Sequence, residues 1–537
     1  MNYKINGEEY KSEDPINILN AIKEINKDRE YIGAIANGRI VGLKHKIKPG
    51  EDIELISKYS NIGKKIYSTS LSMILIIAVK EVLGDVKINV EYSLGDGIYI
   101  SIQDHKVSRR ETKLIDQKMR EIVKSAIEID KEKVSKNVAI SLYKAEGYYE
   151  KIELIETLGL EYVDIYLVGG RIFSFDKPLV PDTSFVDKFK LIAYHPGIVI
   201  QYPSKKGLNF PKFEEQVSLS KIYSSSKKWT DLMGIKYAGS LNRAVLEGKM
   251  DNLILVNETF YNNQLAQCAK DIIDKNMQIV LIAGPSSSGK STTAKKLAIQ
   301  LAVYGKNTFI ISTDNYFIDR DKTPLNKYGQ KDFENVKAID LDLLNEDLLE
   351  LLEGEEIELP SFNFIKGKRE KSDKTIKLDE GILIIEGIHS LNPILSKYIP
   401  QKNKYKIYVS ALTQINIDSH NRISSSDARL IRRIVRDKNY RGYDPIETIE
   451  SWDNVRRGER EYIFPFQENA DFYMDTSLIY EFNALKNEAM EALDTIDKTS
   501  KYYYKANDLK KLLSHFIGID DLSTITKDSI LREFIGE

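Results

Sequence analysis

The sequence of 537 residues contains one cysteine, two tryptophans and 14 prolines, and its charges nearly cancel. The single cysteine, Cys268, excludes an internal disulfide framework and a cysteine-rich zinc module, and it is compatible with a reducing compartment. The 78 lysine and arginine residues face 80 aspartate and glutamate residues, which gives a formal net charge of −2. This balance disfavours a protein that coats nucleic acid through a global positive field, although it leaves room for a local basic patch.

Long hydrophobic runs are also missing. The longest, residues 73–79, is far shorter than the ~20 residues that span a bilayer, and the polar first ten residues lack the hydrophobic core of a signal peptide. We therefore expect a soluble cytoplasmic protein with no membrane partner. At about 100–200 residues per domain, the length predicts about three or four domains.

Residues 1–60 have the pattern of a small β-grasp module. Turn pairs at Asn6-Gly7, Asn37-Gly38 and Pro49-Gly50 separate strand-like segments, and residues 16–25 carry isoleucine and leucine at helical spacing. The predicted order ββαββ resembles a TGS domain, the module found at the N-terminus of threonyl-tRNA synthetase and in some GTPases. Any other small α+β module is the alternative.

Residues 61–225 predict an α+β domain, with an apolar helix over residues 70–82 and a hairpin over residues 191–202. The layout resembles the editing domain of threonyl-tRNA synthetase, in which one helix carries His-x-x-x-His and a later loop carries Cys-x-x-x-His. Those four positions are Thr69, Met73, Phe175 and Leu179 in this sequence. None of these side chains suits a metal or a nucleophilic reaction. The resemblance therefore implies a domain that does not hydrolyse mischarged tRNA, with a structural or ligand-sensing role instead.

A helical connector is predicted over residues 226–270, a P-loop kinase domain over residues 271–482 and a C-terminal helical segment over residues 483–537. The kinase prediction starts from the unbroken apolar run of residues 279–283, which is typical of a parallel strand buried on both faces. The next segment is a complete G-x-x-x-x-G-K-S pattern, and an amphipathic helix follows it. The residues that would bind the nucleotide are Gly284, Pro285, Ser286, Ser287, Ser288, Gly289, Lys290, Ser291 and Thr292.

This strand–loop–helix context predicts a P-loop. The glycines let the loop curl so that its backbone N–H groups point at phosphate oxygens, and the helix N-terminus favours the negative charge. Lys290 would approach the β- and γ-phosphates, and the Ser291 hydroxyl would bind Mg²⁺. A glycine-rich turn without a ligand is the alternative.

Asp314 follows the second predicted strand, residues 309–311. Residues just past the carboxyl ends of parallel strands face the ligand crevice, and an acid there can take a proton from a substrate hydroxyl. The segment resembles the uridine kinase and phosphoribulokinase family, which implies that Asp314 activates the acceptor and that Tyr316 contacts it. Alternatively, Asp314 caps a turn.

Three further segments extend this resemblance. Asp332-Phe333-Glu334 lies where the family has an acidic-aromatic stretch near the acceptor sugar. Pro360-Ser361-Phe362-Asn363-Phe364 resembles a Pro-x-Tyr-Asp-Phe strand that contacts the nucleoside, with Phe362 and Asn363 substituted and Gly367 where the family has a base-contacting histidine. Arg369 keeps a basic substrate position. These departures leave the preference for a uracil or cytosine base open.

Glu386 and His389 follow a third buried strand, residues 381–385. The resemblance implies that Glu386 completes the Mg²⁺ shell together with Ser291 and lies near the substrate. His389 would contact the substrate, or it is a histidine satisfied within its loop.

The arginine-rich segment of residues 429–441 resembles the family's lid, whose arginines reach over the phosphates. Arginines at such a position offset the charge of the transferred phosphoryl group. Arg432 and Arg436 are the candidates for this role, and Arg429 and Arg433 are further candidates. A solvated basic helix is the alternative.

The predicted fold class is α/β, with a C-terminal P-loop doubly wound, mostly parallel sheet preceded by a β-grasp (TGS) module and an α+β synthetase editing-like domain. The predicted function is phosphorylation of a hydroxyl on a small nucleoside-like substrate, most simply uridine or cytidine, with ATP and Mg²⁺. The alternatives are a kinase of a non-nucleoside sugar or alcohol, and a nucleotide-regulated protein whose N-terminal domains bind RNA or the ribosome. No Asn-Lys-x-Asp guanine motif supports a switch GTPase. A homo-oligomer is compatible with the sequence.

Overall fold

The computed structural model describes residues 2–95, 97–203, 210, 212–326, 329–363 and 366–536. Met1, Asp96 and Phe364, which belong to predicted elements, lie outside the described residues. We call residues 2–60 the first unit, residues 61–203 the second unit and residues 217–536 the P-loop unit.

The first unit is a five-stranded mixed sheet. Its elements are β1 (Asn2–Ile5), β2 (Glu8–Lys11), α1 (Ile18–Ala21), β3 (Tyr31–Ala36), β4 (Arg39–Val41) and β5 (Asp52–Ser57). The strand order is β2-β1-β5-β3-β4, with β1 and β5 parallel. The helix is a single turn rather than the predicted residues 16–25, because Ile18 and Ile22 reach the core whereas Ile25 is 56% exposed.

The second unit contains two antiparallel sheets, ordered β10-β9-β8 and β11-β12-β7-β6. Its elements are α2 (Asn61–Leu83), β6 (Ile88–Leu94), β7 (Gly97–Ile102), α3 (Arg109–Lys124), β8 (Ile129–Ser135), α4 (Lys136–Glu146), α5 (Tyr149–Leu158), β9 (Tyr162–Val168), β10 (Arg171–Phe173), β11 (Lys190–Tyr194) and β12 (Gly197–Gln201). Helix α2 is the one described helix that is long and apolar enough to cross a membrane, and 72% of its most apolar window is buried inside the protein. It belongs to a single hydrophobic core that the first and second units share.

The P-loop unit begins with three helices and then alternates strands and helices. Its elements are α6 (Val217–Leu232), α7 (Ala238–Leu246), α8 (Met250–Asp274), β13 (Ile279–Ala283), α9 (Lys290–Val303), β14 (Thr308–Ser312), α10 (Leu341–Glu353), β15 (Glu356–Glu358), β16 (Ser361–Asn363), β17 (Lys368–Glu370), β18 (Thr375–Lys377), β19 (Ile382–Glu386), β20 (Lys404–Ser410), α11 (Ser425–Arg436), α12 (Pro445–Gly458), β21 (Phe472–Asp475), α13 (Glu481–Asp494), α14 (Tyr503–Leu513) and α15 (Arg532–Ile535).

Five of these strands form a fully parallel sheet in the order β14-β19-β13-β20-β21. Alternate residues of β13 face two different cores: Val280 packs with α8, α9, α11 and the C-terminal helices, whereas Leu281 packs with α10. Because both faces of the sheet are covered, its central strand β13 is apolar throughout. The structure confirms the predicted doubly wound α/β architecture. Helix α8, from the predicted connector, and the C-terminal helices α13, α14 and α15 pack in the same hydrophobic core on one face of this sheet.

Candidate functional site

The loop between β13 and α9 is shaped to hold phosphate. Ser287 and Gly289 have left-handed backbone conformations, with φ of 58° and 78°. Such a turn gathers backbone N–H groups into an anion-binding concavity at the N-terminus of α9. The side-chain oxygens of Ser287 and Ser288 are buried and have no hydrogen-bond partner. The backbone of Gly284 passes so close to the carbonyl of Val409 that a side chain at this position would collide with it. These features fit a nucleotide triphosphate.

Predicted site residues from three strands lie together at one edge of the sheet. Ser312, the last residue of β14, pairs with Glu386, the last residue of β19, which in turn pairs with Ile282 of β13. The Ser291 hydroxyl donates to Oε1 of Glu386 at 3.1 Å, and Nζ of Lys290 donates to the carbonyl of Pro285 at 3.2 Å.

Asp314 contributes to the electrostatics of this edge. Burial raises the pKa of Glu386, and the negative charge of Asp314 raises it further, whereas Lys290 lowers it. The structure thus brings Lys290, Ser291, Glu386 and Asp314 to one edge of the sheet, as the pattern of strand ends predicts.

Glu334 is the last residue of the acidic-aromatic stretch of residues 332–334, and no separate role was predicted for it. Its Oε2 is buried and accepts no hydrogen bond. Burial raises the pKa of Glu334 to about 7, Arg433 and Lys290 lower it, and Glu459 and Asp314 raise it. The charges of Lys290 and Asp314 act on Glu334, so it lies near the same edge of the sheet. The resemblance of residues 332–334 to an acceptor-binding stretch was the available signal.

The raised pKa of Glu334 predicts a pH-dependent stability. Its folded pKa of about 7 lies above the ordinary 4.5, so the folded protein binds this proton more tightly than the unfolded chain. The associated stability is present below pH ~4.5 and is lost as the pH rises through ~7. We expect Glu334→Gln to gain about 2.5 kcal/mol relative to the wild type between pH 5 and pH 8. Urea unfolding of both proteins at the two pH values measures this difference, and parallel pH profiles would contradict the assignment.

His389 lies on the same side of the site and is buried. Burial lowers the pKa of His389 to about 4, so the ring is neutral at pH 7. The ring contacts Tyr462 at a centroid distance of 6.2 Å, and Tyr462 donates to Oδ2 of Asp332 at 3.4 Å. His389 therefore belongs to a packed wall of the site, where it can contact a substrate as a neutral ring.

Two lid arginines contact the P-loop directly. Nη1 of Arg429 donates to the carbonyl of Ser286 at 3.0 Å, and Nη1 of Arg433 donates to Oγ of Ser286 at 2.9 Å. The buried carboxylate of Asp437 lies behind them, 3.2 Å from Nε of Arg433 and 2.8 Å from Nη2 of Arg436. Arg436 is therefore held beside Arg433, but among the described contacts it does not reach the P-loop.

The prediction for Arg432 is wrong. Its side chain is completely buried, forms an ion pair with Glu481 of α13, donates to the carbonyl of Thr476 at 2.9 Å and lies 5.3 Å from the centre of the Phe534 ring. The reason is helix geometry: residues four apart share a face, so Arg429 and Arg433 point together at the P-loop. Arg432 projects about 100° away from Arg433, toward α13.

The prediction for Tyr316 is also wrong. Residues Thr313–Tyr316 form a 3₁₀ turn, in which residues two apart point in different directions. Asp314 therefore faces the site, whereas Tyr316 is buried and its hydroxyl donates to Oδ2 of Asp347 on α10 at 2.7 Å.

Phe362 and Arg369 lie on the small β16–β17 hairpin. The Phe362 ring is 5.7 Å from the ring of Phe317, and Nη2 of Arg369 pairs with Asp340 at 3.0 Å and donates to the carbonyl of Phe317 at 3.4 Å. The hairpin thus flanks the segment that follows Asp314. The Arg369 side chain holds that segment by its hydrogen bond to the Phe317 carbonyl. A role in acceptor recognition for Phe362 or Arg369 stays a prediction.

The C-terminal segment packs on the P-loop, which no sequence signal indicated. The Thr292 hydroxyl donates to Oε2 of Glu533 at 2.9 Å. A Cβ built on Gly289 would lie 2.9 Å from Cγ2 of Ile530. A carboxylate from the far end of the chain therefore lies at the first turn of α9, next to the phosphate cradle.

We expect Glu533→Gln to tighten MgATP binding by about 2–5-fold, because it removes a negative charge beside the phosphates at a helix N-terminus. Isothermal titration calorimetry measures the dissociation constant. Glu488→Gln is a matched control, since Glu488 accepts a hydrogen bond from Asn439 on the segment after the lid helix. Weaker ATP binding by the Glu533 variant would mean that this carboxylate holds the nucleotide instead.

Four residues of the second unit stand where the resemblance places metal ligands and a nucleophile, and all four contribute to packing or to local hydrogen bonds. The Thr69 hydroxyl donates to the carbonyl of Lys65 at 2.8 Å, and Met73, Phe175 and Leu179 are buried. Across the described ranges, no group of three or more histidine, cysteine, aspartate or glutamate side chains could hold a metal ion.

The P-loop unit is similar to known kinases. Residues 279–478 match the sequence model of the Phosphoribulokinase / Uridine kinase family. The match begins at the first residue of β13 and ends just past β21, so it covers the parallel sheet and the P-loop. Among solved structures, "a Possible Uridine Kinase" from Bacillus stearothermophilus is similar at 17% identity with a TM-score of 0.29, over 40% of this chain and 98% of that one. D-glycerate 3-kinase from Cryptococcus neoformans is similar at 13% identity with a TM-score of 0.22, over 50% of this chain and 89% of that one.

The N-terminal region matches a different group of proteins. Threonine–tRNA ligase of Citrifermentans bemidjiense is 31% identical over 158 residues, which are 29% of this chain and 25% of the ligase. The ligase of Clostridioides difficile is 28% identical over 183 residues, which are 33% of this chain and 29% of the ligase. The chain thus spans about a quarter of the length of the curated relatives that it matches. The resemblance to both families is confirmed, each over its own part of the chain.

Proposed function

We propose that the protein transfers the γ-phosphoryl group of ATP to a hydroxyl of a small nucleoside-like substrate. The observation that carries this proposal is the convergence of Lys290, Ser291, Glu386 and Asp314 at the carboxyl edge of one parallel sheet. The nucleotide lies in the P-loop, with Lys290 at its β- and γ-phosphates. Asp314 accepts the proton of the acceptor hydroxyl, and Glu334 holds that acceptor.

The fit of Mg²⁺ rests on the Ser291–Glu386 pair, since a hydroxyl and a carboxylate are suitable oxygen donors for this hard cation. Bound there, Mg²⁺ would neutralise charge on the β- and γ-phosphates. Arg433 approaches the same loop and offsets the charge of the transferred group, and Arg429, which pairs with the buried Glu459, contacts the loop at the carbonyl of Ser286. With both arginines over the P-loop, the site excludes water that would otherwise compete as the acceptor. We further propose a cytoplasmic location, where ATP is available.

A second acceptor class is supported by the surroundings of Gly367. A Cβ at this position would lie 2.7 Å from Nε of Arg320, so an arginine fills the place of the base-contacting histidine. A cation beside the acceptor favours an anionic substrate, such as a phosphorylated sugar. This candidate uses the same donor site and the same base, Asp314.

An acceptor panel tests the proposal. The protein is incubated with ATP, Mg²⁺ and separate nucleosides, sugar alcohols and sugar phosphates, and ADP release is followed. Lys290→Met is the control, because ADP release by a contaminating enzyme would persist in that variant. Turnover with uridine or cytidine supports the first acceptor class, and turnover with sugar phosphates alone supports the second. Absence of turnover on every acceptor, combined with tight RNA binding by the N-terminal units, would favour a nucleotide-regulated RNA-binding protein instead.

A further inference from the structure

The chain between β20 and the lid helix α11 leaves the P-loop unit and enters the second unit. The amide of Val90 donates to the carbonyl of Ser419 at 2.8 Å, and the amide of Asp176 donates to Oδ1 of Asn421 at 2.8 Å. Nδ2 of Asn421 donates to the carbonyl of Ser174 at 3.0 Å. These contacts join residues 418–421 to the backbone of two separate segments of the second unit.

This crossing segment packs against one of the substituted positions, Phe175. The His420 ring is buried and stacks on the ring of Phe175 at 6.0 Å, at the position where the resemblance places a catalytic cysteine. Burial lowers the pKa of His420 to about 3, so it packs as a neutral ring. Nearby, Lys151 pairs with Asp418 at 2.8 Å, and both side chains are buried, with exposures of 3% and 5%. A pair so buried is costly to break, because it leaves an uncompensated charge.

The lid helix begins at the end of this segment and is held by lysines from two other helices. Asp427, in its first turn, pairs with Lys65 of α2 at 2.6 Å and with Lys505 of α14 at 2.8 Å. Burial alone would raise the pKa of Asp427, but the charges of Lys505, Lys65 and Lys177 hold it well below its usual range. A carboxylate at this end of a helix also interacts favourably with the helix dipole.

The first turn of this helix is therefore tied to the second unit through Lys65 and to the P-loop unit through Lys505. Asp427 lies two residues before Arg429 and six before Arg433, so these three side chains project from the first three turns of one rigid helix. The lysine pair fixes one end, and the P-loop contacts of the arginines lie along the next two turns. A change in the position of Asp427 is transmitted directly to both guanidinium groups.

We propose that the second unit works in cis as a positioning element of the kinase, in which Lys65, through Asp427, sets the lid helix so that Arg429 and Arg433 lie over the P-loop. Lys65 is thus a positioning residue. It lies far from the P-loop in the sequence and acts on it only through Asp427 and the lid helix. This gives the synthetase-like second unit a function inside the enzyme. Its kinetic consequence rests on the proposed phosphoryl transfer, whereas the positioning of α11 does not.

The test compares Lys65→Met with Lys65→Arg and Lys44→Met in the full chain. Lys44→Met is the matched control, because Lys44 pairs with Asp130 at 2.6 Å and is 31% exposed, against 34% for Lys65, but bridges the first and second units only. We expect Lys65→Met to speed amide hydrogen exchange in residues 425–436 about tenfold, and Lys65→Arg and Lys44→Met to leave it unchanged. We expect the Met variant to lower kcat about 10–100-fold with a smaller change in KM for ATP, and the Arg variant to restore it.

A double-mutant cycle isolates the interaction. If Lys65 acts through Asp427, then Lys65→Met adds little to the effect of Asp427→Asn on exchange in the lid helix. Additive effects, or exchange in α11 unchanged by Lys65→Met, would overturn the proposal. Because exchange needs no substrate, faster exchange without any turnover by the wild type would support the positioning and refute the kinase function. Turnover by the wild type, together with exchange in α11 that Lys65→Met leaves unchanged, would support the kinase function and refute the positioning.

Discussion

Asp314→Asn should lower kcat by about 10²–10⁴-fold, the usual cost of losing a general base. Asp314 lies just past the end of β14, opposite Glu386 and the P-loop, where an acceptor hydroxyl must approach the γ-phosphate. The amide keeps the size of the side chain but cannot accept the proton. ADP release at saturating ATP, with the best substrate from the acceptor panel, measures the effect.

Two controls make this result specific. Asp321→Asn alters an exposed aspartate on the same loop and should leave kcat unchanged. MgATP should bind Asp314→Asn as tightly as the wild type, because Lys290 and the P-loop amides are intact. Activity within a few fold of the wild type would show that Asp314 is not the base, and Glu334→Gln would then be the variant to examine.

Arg433→Met should lower kcat by about 10²–10³-fold, because its guanidinium contacts Ser286 of the P-loop and opposes charge on the transferred group. It should cost less stability than Arg432→Met, because the buried Asp437 keeps Arg436 as an ion-pair partner. Arg432→Met, one residue away, should do the opposite. It leaves the buried carboxylate of Glu481 without its ion-pair partner, which should cost about 3–5 kcal/mol of unfolding free energy.

The test compares the unfolding free energy and the kcat of the Arg433→Met and Arg432→Met variants. Urea unfolding gives the free energy of each variant, and kcat is determined at a temperature where both are folded. A stable but active Arg433→Met would remove this arginine from the catalytic proposal. A catalytic loss in Arg432→Met without loss of stability would restore the sequence prediction for Arg432.

Features that depend on contiguous residues were predictable. The P-loop is one continuous segment. Its glycines predict a tight phosphate-binding turn, and Lys290 and Ser291 predict contacts to phosphate and Mg²⁺. Asp314 and Glu386 were also predictable, because residues at the carboxyl ends of parallel strands meet at one edge whatever the details of packing. The substituted positions Thr69 and Phe175 could likewise be read directly from the sequence.

The choice among the lid arginines was not predictable in this way. The apolar residues of α11 define a buried face, but Arg432 also became buried because Glu481 of α13 offers it a partner. Tyr316 was misassigned for a similar reason: a 3₁₀ turn and Asp347 on α10 direct its hydroxyl away from the site. A helical pattern gives the angular position of a side chain, whereas the partner on that side comes from another element.

By itself, the sequence determined the fold class, the phosphate cradle and the side chains at the four substituted positions of the second unit, since each rests on local backbone preference or on side-chain identity. Only the tertiary structure decided that Arg429 and Arg433 reach the P-loop, that Glu533 lies beside Thr292, and that Lys65 holds Asp427. These pairs join elements that are distant in the chain. Their geometry follows from how whole layers pack, and local periodicity carries no information about which layers will meet.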